Sequence, residues 1–277
     1  MRSGGKVALA RTSDQLSGVT PATDFEAQEA SAAAAGAAVK RAYVQRMFSD
    51  IAPRYDLLNR VLSMGIDRYW RRVALARVGW ERNPDGTFLD LCAGTLDVAA
   101  ALSARRGFSG HVLGADFAEP MLRAGRAKLT GRPITPVVAD AQSLPVADGS
   151  LAGAIVAFGI RNVADLDACL REVHRALRPG ARFVILEFST PRVALVRAVY
   201  HAYFHHVLPR IGGLVSGHKT AYTYLPNSVK NFPETKRLAE RMRAAGYADV
   251  QWTSLTFGIA ACHVGTRPPT SDVGGRR

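Results

Sequence analysis

The chain has 277 residues, of which 48% are hydrophobic and 21% are charged. This composition is typical of a globular protein and excludes a wholly disordered or collagen-like chain. The sequence contains no run of about 18 apolar residues, which excludes a transmembrane helix. Because Lys6, Arg11 and Asp14 interrupt the stretch that a secretory signal would need to be apolar, we expect no such signal.

The three cysteines, Cys92, Cys169 and Cys262, lie far apart in the sequence. Their spacing matches neither a disulfide framework nor a zinc site. Isolated cysteines of this kind are typical of proteins in a reducing compartment. We therefore predict a cytoplasmic protein without a metal site.

The net charge is +13, and it is unevenly distributed. Residues 40–82 carry ten Lys and Arg against four Asp and Glu, residues 188–277 carry twelve against four, and residues 90–160 carry six of each sign. Basic flanks of this kind attract nucleic acid, anionic lipid or acidic substrates. A solvated, arginine-rich surface accounts for them equally well.

Composition divides the chain into three parts. Residues 1–39 are rich in Ala, Ser, Gly and Thr without an apolar period, and we predict a disordered tail with at most a fraying helix near residues 30–38. Residues 267–277 contain two prolines and two glycines and are predicted to form a second tail. The remaining residues, 40–266, are predicted to form a single domain.

The first part of that domain, residues 40–82, is predicted to be helical. Its apolar residues recur at helical spacing, as in Val44, Phe48 and Ile51. The segment is basic and aromatic, and it precedes the first predicted strand. We interpret it as a helical lid over the site that follows.

From residue 87 onward, strands alternate with helices. The predicted strands are residues 87–91, 111–115, 135–139, 151–158 and 182–188, followed by an antiparallel pair at residues 250–255 and 259–264. The predicted helices are residues 98–104, 119–128, 166–177 and 234–245, the last of which ends at Gly246 in a left-handed cap. This alternation indicates βαβ units and a mostly parallel sheet, which is an α/β fold.

Residues 193–230 interrupt this alternation. They contain a predicted long amphipathic helix, then Pro209, Gly212 and Gly213, and then a predicted aromatic loop at residues 222–224. An insertion of this kind before the last strands usually covers a site. We therefore predict that this segment covers one side of the site, the side at which the acceptor substrate binds.

Ligands of open α/β sheets bind outside the carboxyl ends of the strands. The loop after the first strand runs from Asp90 to Asp97 and carries only one glycine of the pattern that a dinucleotide site requires, Gly94. Asp116 follows the second strand and suits a ribose diol, with a helix cap as the alternative. Asp140 and Ala141 follow the third strand and suit either an adenine edge or a turn. One tight glycine loop followed by acids after the next two strands resembles the donor site of class I S-adenosylmethionine-dependent methyltransferases.

Six longer segments make the resemblance specific. They are residues 47–59 (MFSDIAPRYDLLN), 63–71 (SMGIDRYWR), 158–163 (FGIRNV), 186–191 (LEFSTP), 206–212 (HVLPRIG) and 222–225 (YTYL). In this order they resemble the demethylmenaquinone and ubiquinone biosynthesis C-methyltransferases, over about residues 43–265. The resemblance implies a Rossmann-like, mostly parallel seven-stranded sheet with helices on both faces and an N-terminal helical lid. It also implies S-adenosylmethionine as methyl donor and a prenylated quinol as acceptor.

The resemblance implies a set of donor-binding residues, namely Asp90, Gly94, Thr95, Asp116, Asp140, Ala141 and Ala157. The sequence departs from the family pattern at three places. Leu96 stands where the family usually has glycine, Ala157 replaces a small hydroxyl residue, and Asp140 replaces what is often asparagine. We expect Leu96 to reshape the loop near the methionine part of the donor.

The candidate catalytic residues are Arg161, Asn162, His206 and Tyr222. Arg161 could stabilise a phenolate, because an arginine is always charged, or it could form a salt bridge with Asp165 or Asp167. Asn162 could orient the same hydroxyl or stabilise a turn. His206 is a candidate base, and a purely structural role is the alternative. Tyr222 either lines the acceptor pocket or only packs against neighbouring side chains.

The prenyl tail of such an acceptor lies in a bilayer, which suggests peripheral contact with the inner face of the membrane. Arg68, Arg71 and Arg72 beside Tyr69 and Trp70 could touch anionic lipid.

A homodimer is also considered. A nucleic-acid partner is not expected, because the chain lacks the Asn/Asp-Pro-Pro-Tyr/Phe motif after the fourth strand and a basic, aromatic strand platform. The alternative function is methylation of another small phenolic or amine acceptor.

Overall fold

The computed structural model describes residues 40–191, 193–203 and 219–269. Both predicted tails lie outside these ranges, apart from residues 267–269. The helices are α1 (Lys40–Ile51), α2 (Tyr55–Leu62), α3 (Ile66–Leu75), α4 (Asp97–Ser103), α5 (Glu119–Ala124), α6 (Leu166–Ala176), α7 (Ala194–Ala202), α8 (Lys219–Asn231) and α9 (Thr235–Ala244). The strands are β1 (Thr87–Leu91), β2 (His111–Asp116), β3 (Ile134–Val138), β4 (Leu151–Ala157), β5 (Leu177–Phe188), β6 (Ala248–Leu255) and β7 (Ala260–Thr266).

The seven strands form one sheet in the order β3-β2-β1-β4-β5-β7-β6. Strand β7 runs antiparallel to both of its neighbours, and the other pairings are parallel. The predicted mostly parallel sheet and its closing antiparallel pair are therefore confirmed. The strand order reverses between β1 and β4, and such a reversal opens a crevice at the carboxyl ends of the two strands.

Two apolar layers cover the two faces of the sheet. One layer includes residues of α6 and α9, such as Val173 and Met242, together with Leu89 and Phe183 of the sheet. The other includes Trp70 of α3 and residues of α4, and it packs against the opposite face. Because the central strands are buried from both sides, β4 is an almost continuous apolar run, as is typical of parallel sheets.

The structure differs from the predicted elements in three places, one of which is β5: it begins at Leu177, five residues before the predicted start at residue 182. The predicted aromatic loop at residues 222–224 is wrong, since these residues lie inside α8, where Pro226 interrupts the hydrogen-bond ladder without ending the helix. The predicted helix 119–128 divides into α5 and a 3-10 turn, Arg126–Leu129. The division falls at Gly125, where a Cβ atom would lie 2.5 Å from the carbonyl oxygen of Thr95. Gly246 has a φ of +100°, which confirms the left-handed cap of α9.

No helix in the described part of the chain is long and apolar enough to cross a membrane.

His263 links the antiparallel edge of the sheet to α9. Its Nε2 atom donates to the carbonyl oxygen of Thr235 at 2.9 Å, and its ring stacks on Trp252. Its Nδ1 atom is buried and has no hydrogen-bond partner within the described residues. Burial therefore lowers the pKa of His263 to about 4.

We expect this histidine to make the fold sensitive to acid. Its folded pKa lies below the unfolded value, so its neutral form stabilises the fold fully above about pH 6.5, and the contribution is lost as the pH falls toward 4. Between pH 8 and pH 5 the loss should be about 2 kcal/mol. Urea unfolding at both pH values measures this loss. The free energy of unfolding of His263→Gln should fall between pH 8 and pH 5 by about 2 kcal/mol less than that of the wild-type chain. An identical pH dependence in the two proteins would contradict the assignment.

Candidate active site

A cavity of about 740 Å³, its open mouth included, lies at the carboxyl ends of β1, β2 and β4. Helix α1 and the start of α2 border it through Phe48 and Tyr55. Five of the predicted donor-binding residues line this cavity, which we call the donor cavity: Gly94, Asp116, Asp140, Ala141 and Ala157. The structure thus brings together residues that are up to 63 positions apart in the sequence.

The carboxylate of Asp116 joins two of the loops that form the donor cavity. Its Oδ2 atom accepts a hydrogen bond from the amide of Gly94, and its Oδ1 atom accepts one from the amide of Ala118, both at 2.8 Å. Burial raises the pKa of Asp116 despite these bonds. Ala118 is itself the N-cap residue of α5, and no side chain caps this helix, so the alternative role of Asp116 as a cap is wrong. The amide of Phe117 also interacts with this carboxylate, and the acceptor capacity that remains suits ribose hydroxyls.

Asp140 forms a turn and also borders the donor cavity. Its Oδ1 atom accepts from the amide of Gln142 at 3.0 Å, which is a turn, and the residue also lines the donor cavity. Its Oδ2 atom lies 3.0 Å from Arg41 of α1. The adenine contact of Asp140 stays a prediction, and the ion pair with Arg41 was not anticipated.

A second cavity of about 280 Å³, mouth included, adjoins the donor cavity. The two share Tyr55, Cys92, Gly94 and Ala157, so they meet along the loop after β1. The remaining predicted donor-binding residues, Asp90 and Thr95, line the second cavity. Burial raises the pKa of Asp90 to about 7, and its Oδ2 atom accepts from the amide of Ala99 in α4.

Leu96 adopts a left-handed conformation with a φ of +67°, which favours glycine. Its side chain is nevertheless fully buried in the apolar layer that contains Trp70. A Cβ atom on Gly114 of the neighbouring strand would lie 2.3 Å from the Leu96 side chain, so Gly114 provides the space for it. Leu96 lines neither cavity, and its effect on the shape of this loop stays a prediction.

A charged cluster fastens α2 to the loop after β1. The Nζ atom of Lys128 lies 2.7 Å from Asp56 and 2.6 Å from Asp97, and it also donates to the carbonyl of Thr95 at 2.9 Å. The hydroxyl of Thr95 donates to Asp56 at 2.5 Å. Burial acts to raise the pKa of Asp56, but Lys128 and Thr95 outweigh it and lower this pKa. Sequence reasoning missed Lys128, because nothing local connects it with residues 31 to 72 positions away.

Arg161 follows β4, but its guanidinium is buried against β5. Its Nη1 atom donates to Glu187 at 2.7 Å and to the carbonyl of Phe158 at 2.5 Å, and it lies over the ring of Phe188. Burial raises the pKa of Glu187, and the nearby guanidinium opposes this effect. The Nε atom of Arg161 and the Oε2 atom of Glu187 have no hydrogen-bond partner among the described residues.

The alternative salt bridges that we considered for Arg161 are not formed. Asp165 instead accepts from the amide of Ala168 and caps α6, and Asp167 pairs with Arg241 of α9. Glu187 lies on a neighbouring strand, so its partnership follows from the pairing of β4 with β5.

Asn162 lines the donor cavity, and its Oδ1 atom accepts from the hydroxyl of Tyr224 at 3.1 Å. Tyr224 is buried in α8 beside Tyr43 of α1. Tyr222, the predicted catalytic tyrosine, lies in the same helix, and its side chain is outside the described residues, as is the whole of His206. Tyr224 therefore contacts the site from α8, and the role of Tyr222 stays a prediction.

The lid helices bind the site through cations as well as apolar contacts. The Nζ atom of Lys40 donates to the carbonyls of Arg161 and Val163, both at 2.9 Å. Arg71 lines the second cavity, and Trp70 is buried. The expectation that Arg71 and Trp70 touch lipid is therefore wrong, because both face the interior.

No group of three or more His, Cys, Asp and Glu residues suited to a metal ion occurs within residues 40–191, 193–203 and 219–269. The three cysteines are free thiols, and Cys169 and Cys262 are buried.

Comparison with known proteins identifies the family. The family model described as the ubiE/COQ5 methyltransferase family matches residues 37–267. The chain belongs to this family. The resemblance drawn from the six sequence segments is therefore confirmed.

The curated relatives match nearly end to end. The ubiquinone/menaquinone biosynthesis C-methyltransferase UbiE of Geotalea daltonii is 46% identical over 229 residues, which are 81% of this chain and 96% of that protein. The demethylmenaquinone methyltransferase of Thermus thermophilus is 48% identical over 224 residues, which are 80% of this chain and 100% of that protein.

Solved structures share the fold at low sequence identity. The [4+2]-cyclase SpnF has a TM-score of 0.60 at 15% identity and covers 82% of this chain and 96% of its own. A SAM-dependent methyltransferase from Thermotoga maritima has a TM-score of 0.55 at 18% identity and covers 80% of this chain and 99% of its own. The predicted class I methyltransferase fold is confirmed, and family and fold support S-adenosylmethionine as donor. Because one neighbour is named a cyclase, the fold alone does not decide the reaction.

The contact between Leu96 and Gly114 generates a prediction for stability. Leu96→Gly relieves the left-handed backbone by about 1 kcal/mol, but it removes a buried side chain worth about 3–5 kcal/mol, so the net loss should be about 2–4 kcal/mol. Gly114→Ala alone should cost about 1–3 kcal/mol through overpacking. In the double variant the cost of Gly114→Ala should nearly vanish, because its clash partner is gone. Denaturant unfolding of the four proteins measures this coupling, and strictly additive losses would show that the two residues are independent.

Proposed function

We propose that this protein transfers a methyl group from S-adenosylmethionine to a ring carbon of a prenylated quinol, converting demethylmenaquinol to menaquinol. The observation that carries the proposal is the identity of 46–48% with proteins named for this reaction over four fifths of the chain. A ubiquinone precursor is a second acceptor of the same chemistry, since relatives of equal similarity carry both names.

The donor supplies a methyl group on a positively charged sulfur, so the methyl is already activated. The acceptor must supply an electron-rich carbon, and loss of a phenolic proton from the quinol gives that carbon its electron density. The new carbon–carbon bond forms in line as the sulfur–methyl bond breaks, and the ring carbon then loses its proton to restore the aromatic ring. The protein must hold both partners within about 3–3.5 Å and stabilise the phenolate.

The donor cavity fits the adenosine part of the donor. Asp116 has two carboxylate oxygens fixed by backbone amides and suits the ribose diol. Asp140 and Ala141 lie where an adenine edge would be bound, and Ala157 forms part of the wall beside β4. Gly94 has a φ of +53°, which lets the backbone turn closely around a ligand.

The acceptor side is supplied by Arg161 and Asn162, with His206 and Tyr222 kept as proposed catalytic residues. The hydrogen bond from Tyr224 fixes the side chain of Asn162 at the edge of the donor cavity. Among the described residues, the Nε–H group of Arg161 has no hydrogen-bond partner, and the carboxylate beside it already compensates part of its charge. A phenolate oxygen would complete the hydrogen bonding of this guanidinium, and the cation would favour the ionised quinol.

We expect methyl transfer to the quinol and none to the quinone. Labelled S-adenosylmethionine is supplied with chemically reduced demethylmenaquinol and, in parallel, with its oxidised form, whose ring carbon is not nucleophilic. The double variant Arg161→Met/Glu187→Gln removes both buried charges together, and it should lower kcat by about 10²–10³-fold while donor binding persists.

The matched control is Arg171→Met on the exposed side of α6, which should transfer methyl groups at the wild-type rate. Equal transfer to the quinone would refute the phenolate chemistry. Transfer to neither form, with donor binding intact, would refute the acceptor.

We further propose reversible contact with the cytoplasmic leaflet, through the exposed surface of α2 and α3. Leu57, Met64 and Tyr69 are large, more than half exposed apolar or aromatic side chains of this pair and its connecting turn. Arg68 and Arg72 are exposed on the same segment. Apolar side chains among cations suit an anionic bilayer, which holds the prenyl tail of the acceptor. The predicted homodimer has no comparable support.

Co-sedimentation with vesicles that contain phosphatidylglycerol should show binding at low salt and release at high salt. Arg68→Glu/Arg72→Glu should abolish the binding, and Lys236→Glu/Arg237→Glu on the exposed surface of α9 serves as the control with the same charge change. Absence of binding at low salt, or an equal loss in the control, would overturn the proposed surface.

A further inference from the structure

The second cavity contains one positive charge among the described residues that line it. This charge is Arg71, on the inward face of α3. The other lining residues include Asp90, Asp97 and the hydroxyl of Thr95. A cavity of this composition can bind a ligand that carries both a carboxylate and an ammonium group.

Arg71 is buried but incompletely paired. Its side chain is 15% exposed, and its Nε atom is buried without a hydrogen-bond partner in the described part of the chain. Its nearest carboxylate oxygen belongs to Asp67 at 3.5 Å, which is longer than a normal hydrogen bond. Its guanidinium also lies 5.7 Å from the centre of the Phe158 ring. A buried guanidinium with unused donors is costly, and a bound carboxylate would satisfy them.

The position of Arg71 relative to the donor cavity indicates which carboxylate it takes. The two cavities meet at Gly94, on the loop that Asp116 holds in place. With adenosine between Asp116 and Asp140, the amino-acid end of the donor must pass Gly94, and the second cavity begins there. Asp90 and Asp97 in that cavity provide negative charge for the ammonium group.

We propose that Arg71 binds the α-carboxylate of the methionine part of the donor. This assignment rests on the proposed use of S-adenosylmethionine, and it is independent of the acceptor. It gives α3 a direct part in donor binding, in addition to its packing against the sheet. It also explains why one arginine of this helix faces inward while Arg68 and Arg72 are exposed.

The test compares S-adenosylmethionine with decarboxylated S-adenosylmethionine, two ligands that differ only in the carboxylate. Calorimetric titration of the full chain should show that the wild type binds the complete donor about 10–100-fold more tightly. Arg71→Met should lose this preference and bind the decarboxylated compound as the wild type does. Arg71→Lys should retain part of it, because it keeps the charge and loses the fork of donors. Arg171→Met, on the exposed side of α6, should behave as the wild type.

Two results would overturn the assignment. Wild-type protein that binds both ligands equally has no carboxylate subsite, a conclusion that needs no variant. An Arg71→Met variant that weakens both ligands by the same factor would show that Arg71 only supports the fold. Failure of quinol methylation would leave the assignment standing, whereas absence of binding to either nucleoside would remove the donor site itself.

Discussion

The carboxylate of Asp116 is the constraint on which the site depends. It joins the amide of Gly94 after β1 to the amide of Ala118 after β2, and thereby fixes the separation of two loops that would otherwise be independent. Hydrogen bonds to a charged acceptor contribute about 1.5–3 kcal/mol each, and they offset part of the cost of burying this carboxylate, whose pKa burial still raises. The shape of the donor cavity, its junction with the second cavity and the start of the adenosine path all follow from this bridge.

A second constraint is the pairing of acids in the site with cations from elsewhere. Arg41 of α1 pairs with Asp140, Lys128 bridges Asp56 and Asp97, and Arg71 faces Asp90 across the second cavity. Part of the excess of basic residues in 40–82 is therefore used inside the molecule. Because Arg41 is largely exposed, its pair adds little stability, whereas the half-buried Lys128 cluster holds α2 against the loop after β1. Among these ion pairs, the two formed by Lys128 therefore stabilise the position of the lid most, and they act on its second helix.

The sequence predicts those features that depend on local pattern. The bounds of β1 coincide with the prediction, because a short apolar run between two turns determines where the strand begins and ends. The cap of α9 at Gly246 was predictable for the same reason, since it depends on local sequence. The features that it misses are long-range. The partner of Arg161 is Glu187, because β4 pairs with β5, although Asp165 and Asp167 are closer in sequence. Leu96 occupies a glycine-like position because Gly114, 18 residues away on another strand, leaves room.

The buried pair of Arg161 and Glu187 shows how the two halves of the site differ. The donor half is formed by backbone amides at strand ends, so its geometry is fixed before any ligand arrives. The proposed acceptor half depends on an ion pair whose separated members would each cost several kcal/mol to bury, and within the described residues each member has one polar atom without a hydrogen-bond partner. A neutral phenol can donate to the carboxylate and a phenolate can accept from the guanidinium, so the same pair can satisfy the acceptor before and after its proton is lost. A fully satisfied pair would favour neither state, so in the proposed mechanism the two atoms without partners among the described residues would couple this pair to the ionisation of the acceptor.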